Sequence, residues 1–209
     1  MRHPRTVLVP LLAALLCVAC SSTVRGGDGP PHYGRFENLD GGQFNALIGQ
    51  RSLVDDAAWG ELSEQLGLGV DFVFGPRDAP LQWDWALHYG FDETEVGQGS
   101  SAVDARTETV ETTLGLIWLA GDRYQALVPY LGAGGSLLYA QTEVLNGALV
   151  DDGNWSFGAY ARAGVLIRLN ARDHFGLDVR YLAGTDLDIA GATAGVDALV
   201  ISLVLGNQF

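Results

Sequence analysis

Three observations in the sequence predict an all-β fold, an eight-stranded antiparallel up-and-down β-barrel that spans a membrane. First, eight segments within residues 43–209 alternate apolar residues with polar or small ones, as strands with two different faces do. Second, tight turns alternate with longer connections along the chain. Third, aromatic residues share the apolar face and glycines share the polar face, whereas a soluble barrel places its large apolar residues inside.

The stretch LQWDWALHYGF, residues 81–91, shows the alternation most clearly. Its odd positions are Leu, Trp, Trp, Leu, Tyr and Phe, and its even positions are Gln, Asp, Ala, His and Gly. Seven further segments follow the same pattern, at about the 9–11 residues that a tilted strand needs to cross the hydrocarbon. The predicted strands are 43–53, 65–74, 81–91, 109–119, 126–141, 154–170, 174–183 and 198–209.

The connections between these segments alternate in length and in charge. Tight turns are predicted at 75–80, 120–125 and 170–173, and longer loops near 54–62, 95–104, 145–153 and 184–196. Acidic residues predominate around the longer loops, where Arg106 is the only arginine, whereas the tight turns balance acids with arginines. Barrels in membranes often have one rim of short turns and one of longer loops, so the sequence predicts a neutral rim and an acidic rim.

The residues on the two faces predict which face meets lipid. Glycines fall on the polar face, at Gly67, Gly69, Gly90, Gly115, Gly132, Gly134, Gly158, Gly164 and Gly176. The interior of an eight-stranded barrel is barely wide enough for side chains, so small residues relieve crowding there. Aromatic residues on the apolar face include Trp83, Trp85, Tyr89, Trp118, Trp155 and Tyr181. Because aromatic girdles form where a barrel meets the membrane interfaces, we expect the apolar face to meet lipid.

The composition excludes one class of partner and divides the chain. All 12 basic side chains are arginine, and they stand against 25 acidic ones, a formal charge of −13. This excludes a nucleic-acid surface, which needs clustered cations. Residues 1–19 combine two arginines with a short apolar run and predict a signal peptide. Residues 20–42, rich in Gly and Pro, predict a flexible tether, and 43–209 form the predicted barrel.

The segment Ala19-Cys20-Ser21-Ser22 resembles the cleavage site of a bacterial lipoprotein signal. The resemblance implies cleavage before Cys20 and lipidation of its side chain. Position 17 departs from the pattern, because it holds Cys17 where lipoprotein signals prefer Leu. The alternative is a plain secretory signal that is cut near the same place. In both cases the mature chain leaves the cytoplasm.

Two further stretches carry a resemblance to a known family. PYLGAGGSLLYA, residues 129–140, is similar to the central strand of small OmpA-type outer-membrane barrels. The sequence also finishes on Phe209, preceded at two-residue steps by the apolar residues Leu205, Leu203 and Ile201, with Asn207 departing from this pattern. The resemblance implies a Gram-negative outer-membrane protein with both termini in the periplasm. It also implies insertion by the barrel-assembly machinery, which would bind the C-terminal strand.

Charged residues on the polar face are the candidate site. They are Arg51, Asp71, Asp84, Asp92, Glu111, Arg162, Arg168, Asp178 and Arg180. Because unpaired buried charge is costly, we expect these side chains to pair and to plug the lumen. The alternative is a gated ion path that opens when the pairs rearrange. His88 and His174 also face the lumen and are expected to act as interior hydrogen-bonding residues.

The predicted function is structural or adhesive, without an enzyme activity, cofactor or metal site. The first alternative is an enzyme that modifies lipid A. The His-x-Ser pair of the deacylase family is missing, because Tyr-Gly follows His88 and Phe-Gly follows His174. The second alternative is a soluble, lipocalin-like lipoprotein that binds an apolar ligand. The expected partners are outer-membrane lipids and lipopolysaccharide, with Asp151, Asp152, Asp186 and Asp188 as candidates to share divalent cations with lipid phosphates.

Overall fold

The computed structural model describes residues 42–54, 63–76, 79–96, 103–120, 125–144, 152–189 and 192–209. The predicted signal peptide (1–19) lies outside these residues, as does the predicted tether (20–42) with Cys20, except for its last residue. Within the described ranges, no helix is long and apolar enough to cross a membrane.

Ten β-strands form the regular structure of the described residues. They are β1 (Gly42–Leu53), β2 (Glu64–Phe74), β3 (Leu81–Val96), β4 (Val103–Leu119), β5 (Leu127–Val144), β6 (Asp152–Arg168), β7 (Asp173–Ala183), β8 (Asp186–Ile189), β9 (Ala192–Gly195) and β10 (Ala198–Gln208). Eight of them close into a barrel in the order β1-β10-β7-β6-β5-β4-β3-β2, and every neighbouring pair is antiparallel. The predicted eight-stranded barrel is confirmed.

The structure differs from the prediction at the rim of the longer connections. Strands β3 and β4 stay paired as far as Val96 and Val103, so both ends of the predicted loop 95–104 are strand. The apolar alternation stops at Asp92, but backbone hydrogen bonding continues through the polar residues beyond it. The predicted loop 184–196 also contains strands, because β8 and β9 form a separate two-stranded sheet there.

The first and last barrel strands close the cylinder along one seam. Strand β1 pairs with β10 from Gln43 and Gln208 to Leu53 and Ala198. At the end of this seam, Gly42 N donates a hydrogen bond to Phe209 O at 3.2 Å, and Phe209 N donates to Gly42 O at 3.0 Å. These residues lie at the same rim as the short connections β2–β3, β4–β5 and β6–β7.

Large apolar side chains cover the outside of the barrel. The exposed ones include Trp83, Trp85, Leu87, Leu114, Leu116, Trp118, Leu131, Trp155, Phe157, Leu177, Tyr181, Ile201, Leu203 and Leu205. Aromatic contacts occur near both rims. Near the short turns the rings of Phe44 and Phe72 are 5.0 Å apart, and those of Phe72 and Trp85 are 5.4 Å apart. Near the long connections Tyr139 contacts Trp155 at 5.0 Å. The interior therefore holds the polar face of each strand.

Candidate functional site

The inward-facing side chains form layers between the two rims. At the short-turn rim lies a buried apolar cluster of Leu47, Val73, Ile117, Val128, Tyr130, Leu166 and Val204. Toward the other rim lies a second one, of Leu53, Leu138, Ala140, Tyr160, Leu182, Val196 and Ala198. Buried charges lie between them, as the order along the strands shows. On β2, Asp71 lies two residues farther from the short-turn rim than Val73, a member of the first cluster. On β7, Arg180 lies two residues farther from the opposite rim than Leu182, a member of the second cluster. These apolar layers were not predicted, because the alternation favours an inward face that is uniformly polar or small.

The first charged group, the acidic cluster, consists of Arg162, Asp71, Asp84 and Asp178. Arg162 Nη1 lies 2.8 Å from Asp71 Oδ2 and 3.1 Å from both carboxylate oxygens of Asp84. Arg162 Nε donates to Asp178 Oδ2 at 3.0 Å. Strand β6, which carries Arg162, is separated by other strands from β2 and β3. The guanidinium therefore ties opposite walls of the barrel together across the lumen.

Neutral side chains also donate hydrogen bonds to these three carboxylates. Tyr130 donates to Asp178 Oδ2 at 2.6 Å, and Tyr160 donates to Asp84 Oδ2 at 2.9 Å. Asn45 Nδ2 donates to Asp71 Oδ1 at 2.5 Å. The guanidinium carbon of Arg162 also lies 5.2 Å from the centre of the Tyr130 ring, within range of a cation–π interaction. Each buried carboxylate thus has both an ionic and a neutral partner.

Glycines give the two tyrosines room to reach across neighbouring strands. Tyr160 is opposite Gly134, Gly134 is opposite Gly115, and Gly115 is opposite Asp84. A Cβ atom at Gly134 would lie 2.8 Å from Tyr160 Cε1, and one at Gly115 would lie 2.5 Å from Tyr160 Oη. Tyr160 therefore lies over two glycines on its way to Asp84. The inward glycines relieve crowding, as expected, and they do so where a particular ring crosses them.

The second charged group, the basic cluster, consists of Arg51, Arg180 and Glu111. Arg51 Nη1 donates to Glu111 Oε2 at 2.9 Å, and Arg180 Nη2 donates to the same oxygen at 3.3 Å. Ser136 donates to Glu111 Oε1 at 3.0 Å. The side chain of Glu111 is fully buried, and those of the two arginines are nearly so. One carboxylate therefore serves two guanidinium groups, the reverse of the acidic cluster.

The structure brings seven of the nine predicted lumen charges together in these two clusters. Asp92 lies apart from both, toward the long-loop end of β3, where its Oδ1 accepts a hydrogen bond from Glu93 N at 2.9 Å. Arg168 also lies apart, half-buried at the end of β6 and opposite His174. Asp92 therefore lies toward the rim of the longer connections, and Arg168 toward the rim of the short turns.

Three polar partners of the acidic cluster were not among the predicted site residues. Tyr130, Tyr160 and Asn45 occupy inward positions on β5, β6 and β1. The two tyrosines could have been identified from the sequence, because they are aromatic residues on a face otherwise rich in glycine. His174 is buried, and its Nε2 lies 2.6 Å from Asn45 Oδ1. His88 is also buried, and no other residue of the described part of the chain pairs with its Nε2.

The C-terminal strand presents the predicted apolar row to the outside. Ile201, Leu203, Leu205 and Phe209 are all exposed on the barrel surface. Asn207, which interrupts the row, donates from Nδ2 to Asp173 Oδ1 at 2.7 Å on the neighbouring strand β7. Its amide thus ties the end of β10 to the start of β7. This contact is a physical reason for a polar residue at a position where the family pattern has an apolar one.

The arrangement is suited to closing the lumen. Two ion-pair clusters cross it, with an apolar layer on either side. Among the described residues, no three His, Cys, Asp or Glu side chains are grouped so that they could hold a metal ion.

Comparison with known proteins identifies the class of fold. No protein-family model matches the sequence, and no curated protein sequence matches it significantly. Ail, the attachment invasion locus protein of Yersinia pestis, solved with the heparin analogue sucrose octasulfate, superposes with a TM-score of 0.52 at 11% identity. That match covers 82% of this chain and 100% of Ail.

Two other outer-membrane barrels give similar values. Neisserial surface protein A matches with a TM-score of 0.51 and 16% identity, over 81% of this chain and 96% of that protein. OprG of Pseudomonas aeruginosa matches with a TM-score of 0.51 and 18% identity, over 82% of this chain and 96% of OprG. The chain therefore has the fold of small eight-stranded outer-membrane β-barrels. The predicted resemblance to OmpA-type barrels is confirmed at the level of the fold.

Proposed function

We propose that this protein is an integral outer-membrane barrel with a closed lumen, and that it acts as a structural or adhesive component of the cell surface. The observation that carries the proposal is the inversion of the barrel: large apolar side chains outside, and buried ion pairs inside. A soluble barrel of this size would expose a continuous apolar surface to water, which monomeric soluble proteins avoid.

The apolar outer face has the features that a bilayer requires. Exposed Leu, Ile, Phe and Trp side chains alternate with buried residues along β3, β7 and β10. Aromatic contacts near both rims occupy the levels at which interfacial girdles form. Closure of the barrel leaves no unpaired strand edge, a condition for any sheet in hydrocarbon. These features support a lipid environment, that of the outer membrane, around this face. We further propose that the short-turn rim, with Gly42 and Phe209, faces the periplasm.

Closure of the lumen is supported by its layers. Arg162 and Glu111 each tie together strands that are not neighbours in the barrel. An ion would have to separate these pairs and also pass two apolar layers, and hydrophobic constrictions oppose hydrated ions. We therefore expect no steady conductance. The gated ion path remains as the competing hypothesis for the same residues.

A surface role is supported by the acidic character of the longer connections. Asp186 is exposed at the start of β8, and Asp188 follows two residues later on the same strand. Carboxylates repel lipid phosphates unless a divalent cation lies between them. We therefore propose that this rim binds lipopolysaccharide through Ca²⁺ or Mg²⁺. The sulfated ligand of Ail is a polyanion, and the acidic rim here favours a cationic or cation-bridged partner.

Heat-modifiability of the protein in outer-membrane fractions tests the membrane proposal. A folded barrel resists SDS and migrates faster on a gel before boiling than after it. We expect this shift, with the protein in the outer-membrane fraction. Release with soluble periplasmic protein and no shift would contradict the proposal and favour the lipocalin-like alternative. Unchanged lipid A, by mass spectrometry of cells that overproduce the chain, would separate the structural role from the enzyme alternative.

Conductance of planar bilayers tests closure of the lumen. Wild-type protein should give no steady channel. Arg162→Ala should raise the frequency of brief openings if the acidic cluster is the barrier. If this variant folds, as its gel shift would show, and its conductance equals that of wild type, the gated-path hypothesis fails and the apolar layers suffice to close the lumen.

A further inference from the structure

The acidic and basic clusters together contain more carboxyl groups than guanidinium groups. Their seven charged side chains belong to Arg51, Arg162, Arg180, Asp71, Asp84, Glu111 and Asp178. Each of these side chains is at most 4% exposed. If all four carboxyl groups are ionised, one negative charge has no counter-charge. An uncompensated buried charge is costly, and a buried carboxyl group avoids the cost by keeping its proton.

Two of the carboxyl groups lie side by side on neighbouring strands. Asp71 on β2 is opposite Ala86 on β3, and Asp84 lies two residues from Ala86, so the two aspartates are diagonal neighbours on the inward face. Arg162 Nη1 lies 2.8 Å from Asp71 Oδ2 and 3.1 Å from Asp84 Oδ1. These two oxygens are therefore no farther apart than the sum of the two distances. By contrast, Asp178 contacts a different nitrogen of the guanidinium, Nε.

Asp71 has the oxygen atom best placed to carry a proton. Its Oδ1 accepts a hydrogen bond from Asn45 Nδ2. Within the described part of the chain, Oδ2 accepts none, although it lies close to Arg162. Asp84 instead accepts hydrogen bonds from both Tyr160 and Arg162. When two carboxyl groups share one site, their repulsion makes one of them keep its proton. A proton on Asp71 Oδ2 removes this repulsion and supplies the missing positive charge.

Other titratable and charged groups face Asp71 from the strands around it. They are Asp84 and His88 on β3, Tyr130 on β5, Tyr160 and Arg162 on β6, and Asp178 on β7, with His174 beyond Asn45. The two tyrosines already donate their protons, to Asp178 and to Asp84. Asp178 also accepts a hydrogen bond from Arg162, and Glu111 of the basic cluster accepts from two arginines. These groups therefore need no further proton.

The two histidines are worse positions for a positive charge. His88 lines a small cavity together with Arg51 and Arg180, so a charged imidazole would add a third cation there. His174 lies opposite Arg168 at the end of β6. Placing the proton on either histidine would bring positive charges together, whereas placing it between two carboxyl groups separates negative ones.

We propose that the plug of the lumen binds one proton at neutral pH, shared between the carboxyl groups of Asp71 and Asp84. With this proton in place, the positive and negative charges of the two clusters are equal in number. Loss of the proton leaves one negative charge between the two apolar layers. The site thereby makes the stability of the barrel depend on pH, and it is independent of whatever the surface loops bind.

The first test measures how the stability of the full chain changes with pH. The protein is refolded into phosphatidylcholine vesicles and unfolded with urea at pH values from about 7 to 8.5, where the carboxyl groups of an unfolded chain are ionised and most of its imidazoles are neutral. If the folded state binds one proton more than the unfolded state, stability falls as pH rises. We expect the folding equilibrium constant of wild type to fall roughly tenfold per pH unit.

Asparagine variants show whether the two aspartates cause this dependence. Asp71→Asn keeps the shape of a protonated carboxyl group, and it leaves three carboxylates with three arginines. We expect its folding equilibrium constant to be nearly independent of pH over the same range, and the same for Asp84→Asn. The matched control is Asp92→Asn, on β3 but apart from both clusters, which should keep the wild-type dependence. His88→Gln should keep it as well.

A second measurement locates the proton. Solid-state NMR of the barrel in bilayers, with ¹³C-labelled aspartate, distinguishes a protonated carboxyl group from an ionised one by the shift of its carbon. We expect one protonated signal at neutral pH, present in Asp92→Asn and missing in Asp71→Asn and Asp84→Asn. A wild-type stability that does not change with pH would overturn the proposal. So would a dependence that persists in Asp71→Asn or disappears in His88→Gln, or a protonated signal that belongs to Asp178.

Discussion

The acidic and basic clusters both bury charged side chains inside the barrel. Carboxylates outnumber guanidinium groups in the acidic cluster, and guanidinium groups outnumber carboxylates in the basic cluster. In the acidic cluster one guanidinium meets three carboxylates, and each carboxylate also accepts a hydrogen bond from a neutral side chain. In the basic cluster two guanidiniums share one carboxylate, and several N–H groups lack a protein partner. A guanidinium has five N–H donors in a fixed plane. Among the described residues, three guanidinium nitrogens of the basic cluster lack a hydrogen-bond partner, against one carboxylate oxygen of the acidic cluster, Asp71 Oδ2, which still lies 2.8 Å from Arg162 Nη1.

The sharpest test of this comparison removes the one cation of the acidic cluster. Arg162→Met leaves three buried carboxylates without an ionic partner, so we expect a loss of about 3–5 kcal/mol in the free energy of unfolding. Urea titration of the barrel in vesicles, followed by tryptophan fluorescence, measures it. The control is Arg172→Met in the exposed turn before β7, which should change stability by less than about 0.5 kcal/mol.

If Arg162→Met proves too unstable to fold, Arg162→Lys keeps a charge but not the fork of donors. We expect a folded barrel with a smaller loss than that of Arg162→Met. A loss below about 1 kcal/mol for Arg162→Met itself, on the scale of a single neutral hydrogen bond, would contradict the view that this cluster ties the walls together.

The matching change in the basic cluster should cost less. Arg51→Met removes a charge-assisted hydrogen bond, worth about 1.5–3 kcal/mol, but Glu111 keeps Arg180 at 3.3 Å and Ser136 at 3.0 Å. The variant leaves one carboxylate and one guanidinium, a balanced pair. The same urea titration should place Arg51→Met between Arg162→Met and wild type. A loss equal to that of Arg162→Met would remove the distinction between the two clusters.

The glycines under Tyr160 extend the comparison to packing. In Gly134→Ala the added Cβ atom would clash with Leu114 O, lie 2.5 Å from Gly115 Cα and lie 2.8 Å from Tyr160 Cε1, so both strand β4 and the Tyr160 ring must move. Overpacking of this kind costs about 1–3 kcal/mol. Gly135→Ala, one residue along the same strand but on the open outer face, should stay within about 0.5 kcal/mol of wild type. Equal effects at the two positions would show that strand propensity, and not close packing against β4 and Tyr160, explains the glycine.

The smallest expected effect lies outside both clusters, at Asn207. Asn207→Leu restores the apolar row of the last strand but removes the hydrogen bond to Asp173, which keeps a bond from Asn170 Nδ2 at 2.7 Å. A single hydrogen bond contributes about 0.5–1.5 kcal/mol, and the added outward apolar side chain offsets part of it. We expect a change within about 1 kcal/mol by the same titration. A larger loss would place the β7–β10 junction among the main supports of the barrel.

The barrel was predictable from the sequence because strand alternation has a period of two residues, and this period survives in every barrel strand. The pairs inside were not predictable, because they depend on how far neighbouring strands are staggered. Asp84 and Arg162 are 78 residues apart and meet across the lumen. The alternation predicts that both side chains face inward, but it does not predict that they lie at the same height along the barrel axis. Asp92 and Arg168, also inward by the pattern, lie at other levels.

The inward face is also less uniform than the polar face that the alternation predicts. Val73, Leu166 and Leu182 are inward positions occupied by apolar residues. They are visible in the sequence as apolar neighbours of outward apolar residues, but a short apolar run does not say which of its members face inward. Strands β8 and β9 were not predicted for a different reason, which is that each has only four residues.

The seam between β1 and β10 has a consequence for the order of assembly. Seven of the eight barrel pairings join strands that follow one another along the chain, apart from the β8–β9 sheet, whereas the seam joins the first strand to the last. Closing it therefore carries the largest loop-closure entropy of all the pairings. Until it forms, β1 and β10 present open hydrogen-bonding edges beside apolar surface, a combination prone to aggregation in water. Completion of the seam is thus the step at which a bilayer, or a protein that shields these edges, most influences whether the chain folds or aggregates.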